Sequence, residues 1–284
     1  MSLTNFIPIV WNSQMLLDFR ETAIAANLVN RSYEGDARSG NTVRVNTAGA
    51  VAIKDYKAGM ISDGATPTPG TIPRTTTPDA VSSTKADLLI DQEKSFDFLI
   101  DDIDRAQAAG SLGEYTQSAA EGLAEDADKF ILSGLSTTNT HLTASAVNSG
   151  DTAFDVIGLL RKTLNKGKVP KGNRVAVINA EFSSQLLKAA SRITNVDQSG
   201  SPAGLRDGYI GRLLGFDIYE SENLPNVAKP QVVAWYKPSY SFVSQIEKTE
   251  AMRHDDSFSD RLRGLHVYGG KAFRPTGIVA HTAS

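Results

Sequence analysis

Cysteine is absent from all 284 residues, which excludes a disulfide framework, a thiolate metal site and a cysteine nucleophile. Whatever holds this chain to its neighbours is non-covalent or uses other chemistry. A basic excess is also missing: 29 Lys and Arg stand against 32 Asp and Glu, for a formal charge of -3. Phosphate neutralisation supplies most of the affinity of a dedicated nucleic-acid binder. Any contact with DNA is therefore expected to be weak and non-specific. No run approaches the ~20 apolar residues of a membrane span. Residues 1–10 lack a basic segment followed by an apolar stretch, so no signal peptide is visible. Synthesis in the cytoplasm is the simplest expectation.

Motifs that carry chemistry are equally scarce. Gly264 with Gly269-Gly270-Lys271 has the look of a phosphate loop. Its spacing is one residue out, Ala272 stands where a Ser or Thr would hold magnesium, and Pro275 forbids the helix that should follow. Turn glycines are the better account. Asp101, Asp102 and Asp104 have no calcium-loop spacing and run directly into Arg105, as a salt-bridged strand end would. His141, His254, His266 and His281 are scattered, and no G-x-S-x-G elbow presents a serine. Asn30-Arg31-Ser32 is a glycosylation acceptor without a secretory context. Trp11 and Trp235 read as packing groups. Catalytic, cofactor-binding and metal-binding residues are all expected to be lacking.

What is present is an ordinary core: 40% of the residues are hydrophobic and 21% charged, enough for one large domain or two joined ones. Met15, Phe19, Ala23 and Ala26 recur at helical spacing, predicting a helix over 12–30 that serves as an arm or packs on its own core. Val43, Val45 and Thr47 alternate, and Val51 and Ile53 resume the pattern after Gly49, as in a strand. A second extended stretch covers 81–90. Between them Pro67, Pro69, Pro73 and Pro78 fall among six threonines. Proline there removes backbone donors and fixes φ, excluding both helix and central strand. A two-stranded arm capped by so long a loop is marginal alone and needs a neighbour to lie on.

Phe96, Phe98 and Ile100 alternate as a short strand. Leu112, Tyr115, Ala119, Leu123, Ala127, Phe130 and Ile131 then form one face of the clearest helix. Glu114, Glu121, Glu125 and Asp128 fall mostly off that face, Ser111 is placed to cap the start and Gly134 to end it. Residues 136–151 are polar and mark a candidate boundary. Beyond it come a helix over 154–164, a strand over 174–178, a helix over 181–190, a Gly/Ser/Asp-rich stretch over 191–208, and strands over 216–219 and 232–236: an α/β unit. The tail alternates at Phe242, Ile246, Leu265 and Val267, with a polar turn over 254–260.

Three stretches together resemble the major capsid proteins of tailed phages, with the Hong Kong 97-type fold. Phe96 through Gln107 is similar to that family's entry into its long spine helix. Arg174-Val175-Ala176-Val177-Ile178, with Phe182 and Leu186-Leu187, resembles a strand–helix step of the axial domain. Gly211 through Pro225 resembles its glycine-phenylalanine strand and turn. The resemblance implies an α+β fold: an N-terminal arm (1–39), an extended loop hairpin (40–92), a peripheral domain with the spine helix (93–150 and 236–284) and an α/β axial domain (151–235). It implies a structural subunit that is not an enzyme, has no cofactor, and assembles through pentamers and hexamers into an icosahedral shell around double-stranded DNA. Expected partners are further copies of the chain, a separate scaffolding protein, a portal protein, a cement or decoration protein and, non-specifically, the packaged DNA. A membrane is not among them. The expected location is the virion capsid, assembled in the host cytoplasm.

Interface residues expected on this reading are Trp11, Phe19 and Arg31 of the arm and Lys57, Pro67, Pro69 and Arg74 of the loop. Some family members join a loop lysine to a peripheral-domain asparagine. Residues 236–284 contain no asparagine, so no such cross-link is expected. Ten residues before the arm leave no room for a cleaved scaffolding segment, hence the expectation of a separate scaffold. Two alternatives remain: an encapsulin-like nanocompartment shell enclosing protein cargo, and an α/β hydrolase or binding enzyme built on residues 151–236.

Overall fold

The computed structural model describes residues 21, 23–35, 40–49, 51–53, 78–80, 83–103, 113–138, 142, 146–188, 211–226 and 228–284. The chain divides into two compact units, Thr42–Leu88 and the remainder. The smaller unit is built on β1 (Thr42–Ala48) and β2 (Ser83–Leu89), which pair as a two-stranded sheet. Arg44 Nε donates to Asp87 Oδ1 at 2.7 Å across the pair. The strand expected to resume at Val51 and Ile53 does not: both are outside any strand and are 74% and 100% exposed. Alternation alone cannot hold a strand whose backbone groups find no partner.

In the larger unit, β4 (Arg174–Ile178) is buried along its whole length. It lies inside a five-stranded sheet of order β10-β7-β4-β6-β5, with β5 at Arg212–Leu213, β6 at Phe216–Glu220, β7 at Gln231–Tyr236 and β10 at Ile278–Thr282. Only β4 and β6 pair in parallel. Alternate residues go to opposite faces, as a two-residue period demands. Val175, Val177, Val233, Trp235, Ile278 and Ala280 join one core cluster. Ala176, Ile178, Val232, Ala234 and Val279 join the other. The sheet is therefore covered on both faces, which is why β4 reads as an unbroken apolar run.

One cover is α2 (Gly113–Thr138) with α1 (Ala25–Leu28); the other is α3 (Gly150–Lys166) with α4 (Ala180–Leu186). Ser149 and Thr152 form a reciprocal capping box at the start of α3. Asn179 caps α4 by accepting from the Phe182 N–H at 3.0 Å, and Gln231 N–H reaches the same oxygen. A three-stranded antiparallel sheet of order β3-β9-β8 completes the unit, with β3 at Gln92–Asp101, β8 at Tyr240–Arg253 and β9 at Ser259–Ala272. A bulge in β8 between Ser244 and Ile246 shifts its register.

Two helix expectations need correction. Among the described residues of 12–30 the helix covers only Ala25–Leu28, with Ala23 and Ile24 outside it. The pattern at 15, 19, 23 and 26 therefore does not run on as one helix. Gly134 does not end the long helix, which continues to Thr138. A Cβ at Gly134 would stand 2.6 Å from the Tyr240 hydroxyl oxygen, and one at Gly270 of β9 equally close. Tyr240 is thus held between two glycines, one on the helix and one on the strand.

Candidate assembly surfaces

The seam beneath residues 23–35 is organised by one carboxylate. Asp128 lies on the buried side of α2 with Ala127, Ile131, Leu132 and Leu135, and is only 1% exposed. Its Oδ1 accepts from the Ile24 N–H at 2.9 Å and the Ala25 N–H at 2.6 Å, while Oδ2 accepts from Asn223 Nδ2 at 3.0 Å. Asp128 thereby serves the unpaired amides of α1, whose own N-cap residue, Ile24, offers no side-chain acceptor. Burial pushes its carboxyl above the usual range, against the pull of these three hydrogen bonds. Sequence periodicity placed Asp128 off the apolar face. The structure corrects this, because three donors converge on the position and repay its desolvation.

The chain after α1 is stitched down further. Trp235 Nε1 donates to the Leu28 carbonyl at 3.0 Å. Asn30 N–H donates to the Tyr240 carbonyl and Phe242 N–H to the Asn30 carbonyl, both at 3.0 Å, in a parallel bridge to Ser241. Tyr33 packs edge-on against Phe273 with ring centroids 5.7 Å apart. Arg31 is exposed and its Nε donates to Glu34 Oε1 at 2.7 Å. Of the interface residues expected from sequence it alone can be placed: Trp11, Phe19, Lys57, Pro67, Pro69 and Arg74 lie outside the described residues. Asp128 was read only as a residue off the apolar face and Asn223 only as part of the Gly211–Pro225 stretch, and neither was read as a fastening of residues 23–35. The one available signal was an aspartate one residue after a core alanine.

The second surface is the outer face of β3-β9-β8. Arg261 Nε donates to Asp97 at 2.8 Å and Arg263 pairs with Glu250 at 2.7 Å. Lys248 also pairs with Glu250 there, while on the opposite face of the sheet Arg253 bridges Asp102 and Asp260. Lys248 first and Arg263 second hold the Glu250 carboxyl down at about 2. Arg261 likewise holds Asp97 below its ordinary value. Leu99, Met252 and Leu265 are exposed among these pairs, and Phe258 is 81% exposed in the β8–β9 turn.

The same pairs answer the cation question at the strand end. Asp102 is taken by Arg253, and Asp101 Oδ1 accepts from the Ile103 N–H at 2.8 Å; Asp104 and Arg105 lie outside the described residues. Among the described residues no three His, Asp or Glu side chains gather as a metal site. His254 Nδ1 lies 3.3 Å from the Asp256 N–H in an exposed turn, and His266 pairs with Ser244 Oγ at 3.0 Å.

The glycines that suggested a phosphate loop are not turn residues, correcting that expectation. Gly264, Gly269 and Gly270 lie inside β9. A Cβ at Gly264 would strike the Phe96 ring, and one at Gly269 would come within 2.1 Å of the Leu89 carbonyl oxygen. They are small so that other groups can lie on the strand. Grooves follow the space between α2 and the three-stranded sheet, one of ≈ 500 Å³ lined by Phe96, Leu123, Thr249 and His266. On α3 the hollow beside Gly158, Arg161, Lys162, Asn165 and Lys166 is shallow and open. No helix among the described residues is long and apolar enough to cross a membrane.

Comparison with known proteins gives one family match and three similar solved structures. The profile of a family described as phage capsid protein matches residues 84–281. A chain of Mycobacterium phage Che8 is 48% identical over 99% of this chain and 98% of its own, with a TM-score of 0.89. The capsid structure of cyanophage P-SCSP1u is 16% identical, covering 100% of this chain and 95% of that one at TM-score 0.79. The mature capsid of bacteriophage PhiM1 is 15% identical, covering 98% and 92%, at TM-score 0.72. No curated protein sequence matches.

Proposed function

The chain belongs to the phage capsid protein family, and on that premise we propose how it builds a shell. Its fold is of the Hong Kong 97 type, and its role is that of a major capsid protein located in the virion. The nanocompartment alternative is not favoured, because the family and these relatives belong to phages. The observation that carries the role is the match of residues 84–281 to the phage capsid protein family.

In the proposed assembly, residues 1–39 form the arm, 40–92 the extended loop, 93–150 with 236–284 the peripheral domain, and 151–235 the axial domain. Copies associate head to tail into pentamers and hexamers, which close into an icosahedral shell around double-stranded DNA. Arm residues Trp11, Phe19 and Arg31 and loop residues Lys57, Pro67, Pro69 and Arg74 lie across neighbouring copies. Prolines in the loop lower the entropy lost when it docks. Assembly takes place in the host cytoplasm with a separate scaffolding protein, a portal protein and a cement or decoration protein. The subunit performs no catalytic step.

The test is electron microscopy of sedimented particles from cells expressing the chain with its neighbouring phage genes. Closed angular shells containing DNA are expected, and protein-filled shells or a stable monomer would overturn the reading. On a denaturing gel of the particles this chain should run as one 30.4 kDa band. A ladder of covalent multimers would show the cross-link that residues 236–284 are expected not to form.

A further inference from the structure

Charge in the larger unit is sorted by end. From Val156 to Ala180 the chain carries six cations and no acid, in a protein whose net charge is -3. One of the six, Arg174, is buried and donates to the carbonyls of Pro170 and Val169. The other five, Arg161, Lys162, Lys166, Lys168 and Lys171, are exposed. None of the five forms an ion pair among the described residues. They cover the end of α3 and the turn into β4. Lys237, whose N–H donates to the Asn173 carbonyl, and Arg274, just before β10, lie at the same end of the sheet. Asp217 is the acid there, and it pairs with Arg212 at 3.6 Å.

The opposite end of the sheet is acidic. There β4 and β6 finish, α4 begins and α3 begins. Glu181 and Asp151 stand in the first turns of α4 and α3. Glu220 accepts from Ser183 Oγ at 3.0 Å, and Glu222 accepts from the Ala180 N–H. Glu21 is close enough to Glu222, Asp128 and Glu220 that their charges, added to its burial, push its carboxyl above the usual range. Among the described residues, Lys188, which donates to the Asn148 carbonyl, and Lys229 are the cations of this end. Helix dipoles account for Asp151, Glu181 and Lys166. They do not account for Lys168 and Lys171 beyond the helix, or for Glu220 and Glu222 on a strand end.

We infer that the basic end (Arg161, Lys162, Lys166, Lys168 and Lys171) is a docking surface for the acidic end of a second copy of this chain. The inference rests on the shell reading above. Two complementary surfaces at opposite ends of one subunit are what a head-to-tail ring uses, since each copy offers one end to each neighbour. Unlike charges across such a contact set direction and register, and like charges oppose any reversed docking. Docking also brings cations to a cluster of carboxylates that repel one another in the isolated subunit.

The experiment reverses each end in the full chain, expressed with its neighbouring phage genes, and reads the yield of sedimentable shells. Lys166→Glu, Lys168→Glu and Lys171→Glu together make one variant; Glu181→Lys with Glu220→Lys makes the other. Each is expected to lower shell yield by about ten-fold or more, with circular dichroism showing the folded subunit. A chain carrying all five changes has complementary ends again, and its yield should return to within about two-fold of the parent. Either single-end variant assembling like the parent overturns the inference, as does a five-change chain that stays defective. Normal shells that fail to retain DNA would also overturn it, assigning the basic end to phosphate. If the parent chain forms no shells, the shell reading itself fails, and that outcome is separate from the others.

Discussion

Beneath residues 23–35, a single buried carboxylate satisfies three donors from two distant parts of the chain. On the outer face of β3-β9-β8, two carboxylates meet two guanidinium groups and a lysine at water-exposed positions. The face shows the more conspicuous chemistry, yet the seam carries more of the structure. Exposed ion pairs gain little, because water screens them and two long side chains must be ordered. A buried acceptor has no such competitor, and removing it strands every donor it served.

Truncating the seam should have the largest effect. Asp128→Ala leaves the Ile24 and Ala25 amides and Asn223 Nδ2 without their acceptor and should cost about 3 kcal/mol or more, read by urea denaturation. Hydrogen exchange at those two amides should rise to solvent-exposed rates. Asp128→Asn keeps one acceptor oxygen and removes the buried charge, so a loss of about 1 kcal/mol is expected. An equal loss in both variants would mean that charge, and not the geometry of acceptance, matters at the seam.

Acidification should separate the two regions by sign. Glu250 is held at about 2, and Asp97 is also depressed. Groups lowered by folding contribute stability above their unfolded values, and that contribution is lost as pH falls from about 4.5 towards about 2. Asp128 is raised by folding. Its protonation favours the folded state as pH falls, and its contribution is lost as pH rises from 3.8 through the raised value. Denaturation across pH 5 to about 2 should therefore show a shallower loss in Glu250→Gln and a steeper one in Asp128→Asn.

The smallest effect is expected within the outer face. A double-mutant cycle on Asp97→Ala and Arg261→Ala should give no coupling above measurement error at physiological salt. A coupling rivalling the Asp128 loss would show that the ladder behaves as a cooperative network.

Legibility in the sequence followed the reach of the interactions. Arg174–Ile178 was read to the residue, because a strand covered on both faces has no choice but to be apolar throughout. The helix from Gly150 to Lys166 was found but shortened, since its true start rests on the Ser149–Thr152 box rather than on periodicity. Gly134, Gly264 and Gly270 were misread as stops and turns. Their smallness answers to Tyr240 and Phe96, which lie 106, 168 and 30 residues away in the chain by subtraction of the residue numbers. Asp128 escaped for the same reason: its partners are about a hundred residues off in either direction. Family membership was legible because order and spacing persist along the whole chain even where single motifs are degenerate. Individual contact residues of the arm and loop have no such redundancy.

The bridge at Asn30 has a mechanical consequence. Its two backbone hydrogen bonds to β8 run across the chain direction. Tension drawn along the arm therefore loads them together, in shear, instead of peeling them one by one. Trp235 adds a third fastening at Leu28 and Asp128 a fourth at Ala25. A pull transmitted through residues before Ala25 thus meets the Asp128 fastening on α2 first, and then those on β7 and β8.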